Sequence, residues 1–450
     1  MYRFFKLLAV FLLFLLLLPF CFIAPIDRKD LKEQHFYQQM MQQFDEAEFQ
    51  KFPSSTSLKI GWSKVNIMTS YPMPMAGYNR VGNYDSVHDS LYTRIMAIDN
   101  GNVITYLINA DLLIFPPDLK AAIENELELH GRTCELLYYG ATHTHHGTGA
   151  WEDNHLGEIM MGDYDANWIA FASQSILRGL DLARHNTLPA TLNFWDAFAG
   201  DFVKNRLTGN YLGMDDYLRG IEVLRADSSR ALMITYSAHP TSIDRHHKIV
   251  SADYPAPLID YMENVDYDFA MFMAGAVGSH SKAGFCKSDF ELCEEAGQAL
   301  AGRIKQSMAR SDFADELDIQ YINLPVIHGP SQARISKNLR IRDWFFKFMN
   351  GELKGYVKVL VLGDIVLLGT SNDFSGELLV RKQIPAYANA LGKKIIVTSF
   401  NGDYTGYITY DNHYHNHKPN EVSLMNWVGP YFGNYYTEII LKLLDKLAED

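Results

Sequence analysis

The stretch Leu136-Leu137-Tyr138-Tyr139-Gly140-Ala141-Thr142-His143-Thr144-His145-His146-Gly147-Thr148-Gly149 decides how the chain is read. An apolar run of strand length opens it and two glycines close it, so a strand ends where the histidines begin. Residues i and i+2 of a strand share a face, which turns His143 and His145 toward one site. Two imidazoles converging at a strand end point to a metal, with a hydrogen-bonded structural pair as the alternative.

Upstream, Asn100-Gly101 lies between two apolar stretches and predicts an antiparallel hairpin of residues 94–99 and 102–109 closed by a type I′ turn. The second strand delivers Asp111, read either as an orienting partner of a metal-bound histidine or as a cap of the following turn. Leu119, Ile123 and Leu127 fall on one face of a helix over 116–130, so strand, helix and strand form an α/β unit. Cys134 at the start of that last strand reads as a buried free thiol.

Downstream, a helix is predicted over 168–185 and a strand pair over 220–226 and 231–236, the second running into Ser237-Ala238-His239-Pro240-Thr241-Ser242. The nearly continuous apolar run from Phe269 to Gly278 marks a strand buried on both faces, ending at Ser279-His280-Ser281. After a helix over 291–311, Gly363-Asp364 turns a second hairpin whose outgoing strand ends at Gly369-Thr370-Ser371-Asn372-Asp373. A helix over 375–389, a strand over 394–400 leading to Tyr407, and a closing helix over 436–447 complete the chain. The predicted fold is α/β: a layered mixed β-sheet domain with flanking helices and the metal site at strand ends. Trp151, Phe194 and Trp195 belong either to the core or to an apolar acyl pocket.

The 450 residues are 48% hydrophobic and 21% charged, as in a globular protein, and the net charge of −13 argues against a nucleic-acid surface. Residues 1–26 differ in kind. Arg3 and Lys6 precede the apolar run of residues 7–18, which reads as a signal peptide or an uncleaved membrane anchor with its N-terminus inside. The body is then expected outside the cytoplasm, periplasmic or extracellular, with the membrane as a partner through this segment. Residues 27–57 are polar, a stalk or surface helix, and 58–450 form the folded domain. Cys286 and Cys293 are close enough to bridge a small loop; unbonded thiols are the equal alternative.

Taken together, several motifs resemble the N-terminal catalytic domain of the neutral/alkaline ceramidase family. His143-Thr144-His145-His146-Gly147-Thr148-Gly149 looks like that family's THTHSGPGG, His239-Pro240-Thr241-Ser242 matches HPTS, and Ser251-Ala252-Asp253 is similar to SGD. Met75-Ala76-Gly77-Tyr78 resembles MMGY, Asn205-Arg206 resembles NRS, and Tyr404-Thr405-Gly406-Tyr407-Ile408-Thr409 resembles YxxYVTT, all in the family's order.

The resemblance implies a Zn2+-dependent amide hydrolase that cleaves the N-acyl bond of a small lipid-like or N-acylated substrate with zinc-activated water. By the same resemblance His143, His239 and Tyr407 fall on the zinc ligands, and His145 and Arg206 on groups that contact the substrate amide and its oxyanion. The family's ligand Glu is replaced: Thr370 stands in its column, which makes Asp373 the expected carboxylate ligand and Glu377 the second choice. Ser281 survives from the GDxSP segment as a candidate nucleophile. The family's second active-site tyrosine gives way around Asn420-Glu421. Two other readings stand beside this one: a catalytically silent scaffold, and a zinc hydrolase of a different amide or ester, on a glycan or peptide. His246, His247 and the cluster His413-Tyr414-His415-Asn416-His417 read as solvated loop histidines rather than a second metal site.

Overall fold

Both hairpins form. Strands β1 (Tyr92–Asp99) and β2 (Ile104–Ala110) pair antiparallel, but the last pair is Asp99 with Ile104, so Asn100-Gly101-Asn102-Val103 is a four-residue connection and not the two-residue turn expected. Asn100 folds back within it, its Oδ1 accepting from the Val103 N–H, and Gly101 takes φ of 89°. The computed structural model describes residues 4, 6, 19–209, 213–415 and 420–449. The apolar run of residues 7–18 and His417 lie outside them. Among the described residues no helix is long and apolar enough to cross a membrane.

Further strands follow in chain order: β3 (Leu136–Ala141), β4 (Tyr217–Arg225), β5 (Arg230–Tyr236), β6 (Phe269–Ala274), β7 (Tyr356–Leu362), β8 (Ile365–Thr370) and β9 (Lys394–Thr398). A nine-stranded sheet runs β6-β5-β4, then Leu188–Phe198 and Lys59–Asn66, then β1-β2-β3, with Ala309–Arg310 joined to Leu188–Phe198. A five-stranded sheet runs Gln50–Phe52, Ile319–Pro325, β7, β8, β9. The two sheets pack face to face: Trp62, Met96, Tyr138 and Met273 of the larger share one apolar core with Leu360 and Ile396 of the smaller.

Helices cover the outer faces. Helix α1 is His35–Glu46, α2 Pro117–Leu129, α3 Ala166–His185, α4 Pro255–Val265, α5 Asp289–Ser307, α6 Asp343–Asn350 and α7 Phe432–Glu449. Helices α2 and α3 bury Ile123, Trp168 and Ile176 against one half of the large sheet, α4 and α5 bury Leu258 and Leu300 against the other. Helices α1 and α7 cover the small sheet. The layered α/β fold expected from the sequence is thus a helix–sheet–sheet–helix sandwich.

Several expectations are corrected. The polar segment before residue 58 does not stand apart: α1 buries Met40 and Phe44 beside α7, and Gln50–Phe52 joins the small sheet. The helix predicted over 375–389 breaks into Gly376–Arg381 and Ile384–Ala390, because Gln383 turns left-handed and Pro385 starts the second piece. Cys134 is exposed rather than buried, two residues short of β3, and Cys286 and Cys293 are free thiols. Trp151, Phe194 and Trp195 are buried among core side chains.

Candidate active site

Polar groups gather at the carboxyl ends of parallel strand pairs, where the chain leaves the sheet and side chains open outward. In the large sheet β2 and β3 end level, Ala110 beside Ala141, and β5 and β6 end level, Tyr236 beside Ala274. In the small sheet β8 and β9 end level, Gly369 beside Thr398. Ser399 N–H donates to Ala274 O and Asn401 N–H to Thr370 O, which draws the ends of both sheets together.

His143 leaves β3 with φ of 64°, a left-handed conformation that costs a non-glycine residue about 1–2 kcal/mol. Phe400 has the same φ just past β9, and the two rings stack at 4.0 Å and 11°. The strained backbone is thus tied by contacts from both sheets and aims the His143 ring inward.

Each of three imidazoles places Nδ1 on a backbone carbonyl: His143 on Leu113 O at 2.5 Å, His145 on Gly77 O at 3.1 Å, His239 on Val277 O at 3.4 Å. Carbonyls only accept, so each neutral ring carries its proton on Nδ1 and leaves Nε2 as a bare lone pair. Those Nε2 atoms face one another. His143 and His145 each lie 2.9 Å from His239 Nε2, and all three ligand atoms fall within 4.8 Å. Asp373 Oδ1, fully buried and without a hydrogen bond, lies 3.3 Å from His143 Nε2. Three nitrogen lone pairs facing one another, with a carboxylate oxygen beside one of them, repel unless a cation or proton sits among them. Protonation is opposed, since burial above all, then neighbouring cationic groups, hold His145 and His239 well below the ordinary imidazole range. The donor set of three imidazole nitrogens and a carboxylate fits a zinc-type ion, and carbonyl-oriented histidines are what such sites need.

Asp373 and Tyr407 are neighbours in a short parallel ladder. The second oxygen of Asp373 accepts from Tyr404 Oη at 2.6 Å. Tyr407 Oη accepts from Arg206 Nη2 at 3.3 Å, and its phenol is pushed up by burial and by the Asp373 charge. Arg206 is held by Gly278 O at 3.4 Å through Nη2 and by Glu421 at 3.3 Å through Nε, while its Nη1 makes no hydrogen bond among the described residues. His145 and Arg206 are partly exposed, whereas His143, His239 and Asp373 are buried.

The sequence-predicted residues therefore converge, with three differences. His145 joins His143 and His239 instead of standing apart as a substrate contact. Ser281 is placed beside His239 by a backbone bridge, and its hydroxyl has no hydrogen-bonded base among the described residues. Glu377 is committed elsewhere: it accepts from Asn205 Nδ2 at 2.9 Å and Arg381 Nε at 2.5 Å and meets His413 Nε2 at 2.7 Å. His413 is accordingly buried against Glu377 and not the solvated loop residue expected, whereas His246 is exposed beside Asp244. Asp111 touches no histidine. Nor does its side chain cap the following turn: it accepts from Tyr92 N–H at 2.9 Å on the neighbouring strand, and burial pushes its carboxyl up to about 6.

Sequence reasoning missed two residues: Tyr404, which braces Asp373, and Glu421, which braces Arg206. Tyr404 stood in the quoted YxxY pattern, and Glu421 stands where the family's second active-site tyrosine gives way. The quoted HPTS and SAD motifs are explained by one contact, Ser242 N–H and Oγ both bonding the buried Asp253 carboxylate.

No protein-family model matches the chain. Among solved structures it is similar to neutral ceramidase from Pseudomonas aeruginosa, with a TM-score of 0.76 at 16% identity over 88% of this chain and 75% of that one. A ceramidase complexed with C2 gives a TM-score of 0.72 at 15% identity, over 88% and 76%. At such identity the likeness is one of fold, and it agrees with the resemblance carried by the motifs: the chain has the neutral ceramidase fold.

Proposed function

We propose that the protein is a zinc-dependent amide hydrolase that cleaves the N-acyl bond of a lipid-like substrate. The observation that supports this most is the convergence of three Nε2 lone pairs, with the buried Oδ1 of Asp373, which accepts no hydrogen bond, 3.3 Å from that of His143. His143, His145, His239 and Asp373 would hold the ion, with Tyr407 as a further oxygen donor beside Asp373. Zinc, when bound in such a site, supplies a Lewis acid that lowers the pKa of water toward ~7 and polarises a carbonyl.

The chain's own groups then have separate tasks. The carbonyls of Leu113, Gly77 and Val277 fix the three ring orientations, and Tyr404 fixes Asp373. Arg206, braced by Glu421 and Gly278, directs its free Nη1 to the open side, where an amide oxygen gains negative charge as it is attacked. A preorganised donor of this kind is a large part of amide hydrolysis. Ser281 remains beside His239 as a polar wall of the pocket in this proposal.

A silent scaffold is the competing reading, because Thr370 occupies the column of the family's Glu. Asp373, three residues later, speaks against it, since a scaffold gains nothing from a buried carboxylate oxygen left without a partner. An exported, membrane-associated setting belongs to the same proposal and rests on the apolar run of residues 7–18. The test is a panel of fluorogenic N-acyl sphingosines, N-acyl amino acids and acylated sugars, assayed with and without a chelator. Chelator-sensitive hydrolysis of the N-acyl sphingosines is expected; no hydrolysis across the panel at any zinc concentration would sink the proposal.

A further inference from the structure

Helix α6, Asp343-Trp344-Phe345-Phe346-Lys347-Phe348-Met349-Asn350, divides its aromatic residues between two faces. Phe346 is buried against Trp427 at 5.5 Å between ring centroids. Trp344 and Phe348, four residues apart on the opposite face, are 52% and 61% exposed. Exposed aromatics at that spacing are unusual on a water-facing helix and mark a surface built to meet something apolar.

The chain itself says what that is. Pro19–Phe22, the described end of the N-terminal segment, docks on this same helix: Trp344 Nε1 donates to Cys21 O at 3.0 Å and Arg342 Nε to Phe20 O at 3.0 Å. Phe22 packs on Trp344 and Phe345 at 5.4 and 5.0 Å, and Phe20 is 59% exposed beside them. Pro19, which follows the apolar run of residues 7–18 in the sequence, thus belongs to the segment docked at the edge of the exposed aromatic patch. Arg342 is exposed beside Phe20, and Glu158 and Asp163 lie beside Phe348. An apolar tether and exposed Trp and Phe on one surface together match the interfacial region of a phospholipid bilayer.

We infer that α6 and Phe20 form a membrane-interface surface, in which Trp344 and Phe348 insert among the acyl-chain boundary groups of a lipid bilayer. The surface stands on its own observations; its use in delivering substrate rests on the amide-hydrolase reading. A short path of packed rings joins the two places. Phe346 touches Trp427, Trp427 lies 5.2 Å from Tyr404, and Tyr404 hydrogen-bonds Asp373. A lipid-like substrate drawn from the bilayer would thus have the site two aromatic residues behind the docking helix.

The tryptophans make the test specific. Of six, Trp62, Trp151, Trp168, Trp195 and Trp427 are buried, and Trp344 alone is exposed. The full-length protein is mixed with phosphatidylcholine/phosphatidylglycerol vesicles whose acyl chains are brominated, and its tryptophan emission is compared with that in unbrominated vesicles. Quenching is expected in the wild type and absent in Trp344→Phe. Phe348→Asp should weaken partitioning into the vesicles on the order of tenfold, the effect of one large side chain leaving an apolar phase. The readout needs no enzymatic activity. The inference is overturned if bound protein shows no quenching, if Trp344→Phe is quenched equally, or if the patch proves to be covered by a second copy, with Trp344→Phe and Phe348→Asp changing the oligomeric state and not vesicle binding.

Discussion

Two buried clusters of histidine and carboxylate lie close together in this protein, and they differ in one respect. Around Glu377 both carboxylate oxygens have partners, in Asn205, Arg381 and His413, and His280 uses both nitrogens, Nδ1 on Ser279 at 2.8 Å and Nε2 accepting from Asp215 N–H at 3.0 Å. Burial raises the Glu377 pKa, but the bonds from His413 and Asn205 more than offset it and keep the group ionised. Around Asp373 the pattern is the reverse: three Nε2 lone pairs face one another, and the Asp373 Oδ1 beside that of His143 accepts no hydrogen bond. A satisfied network holds a fold together, while an unsatisfied one of this kind is a socket.

The comparison can be broken most severely at the histidines. His239→Ala removes the nitrogen nearest both others, and hydrolysis is expected to fall by on the order of 10³-fold or more, the scale of losing several kcal/mol of transition-state stabilisation. Steady-state rates on the best N-acyl substrate of the panel measure it. A smaller loss separates charge placement from metal binding: Arg206→Ala should lower kcat by about 10²–10³-fold, as removal of an oxyanion donor does. Zinc content should stay unchanged in that variant; a parallel loss of metal would show that Arg206 supports the socket instead.

The two carboxylates sharpen the contrast directly. Asp373→Asn should weaken zinc binding by about 10–100-fold with little change in the unfolding midpoint. Glu377→Gln should leave zinc binding intact and destabilise the fold by about 1–3 kcal/mol, because its partners lose a charged acceptor. Competition with a chromophoric chelator and denaturant unfolding read the two effects separately.

The smallest effect is expected at Asp111. Its folded pKa of about 6 exceeds the ordinary carboxylate value, so the folded state binds the proton more tightly. Stability from this group is complete below about pH 4 and is lost as pH rises through 6. Asp111→Asn keeps the acceptor for Tyr92 N–H and should remove that slope, raising stability at pH 7.5 by at most about 3 kcal/mol. Unfolding midpoints at pH 5 and 7.5 test the sign.

Much of this was legible in the sequence because strand ends announce themselves. The alternation of His143 and His145, the apolar runs ending at His239 and Asp373, and both Gly-containing turns placed the site residues before any coordinates. What escaped was whatever depends on packing between distant segments. The stacking of the two sheets relies on a core that Met273 of one shares with Ile396 of the other, and neither residue carries a local sign of it. The left-handed turn at His143 is held by Phe400, more than 250 residues on, so no propensity hints at it. Likewise His145 was separated from the ligands by resemblance, whereas the Gly77 carbonyl that sets its tautomer comes from a loop far upstream. Glu377 and Asp373 look equivalent as letters; only their hydrogen bonds tell them apart.

Zinc stoichiometry tests the central claim most directly. The full-length protein, stripped and reloaded with zinc, is analysed by elemental mass spectrometry beside His143→Ala and Glu377→Gln. One zinc per chain is expected in the wild type and in Glu377→Gln, with little or none in His143→Ala. Equal zinc in all three, or none in the wild type, would contradict the assignment of the unsatisfied cluster as the metal site.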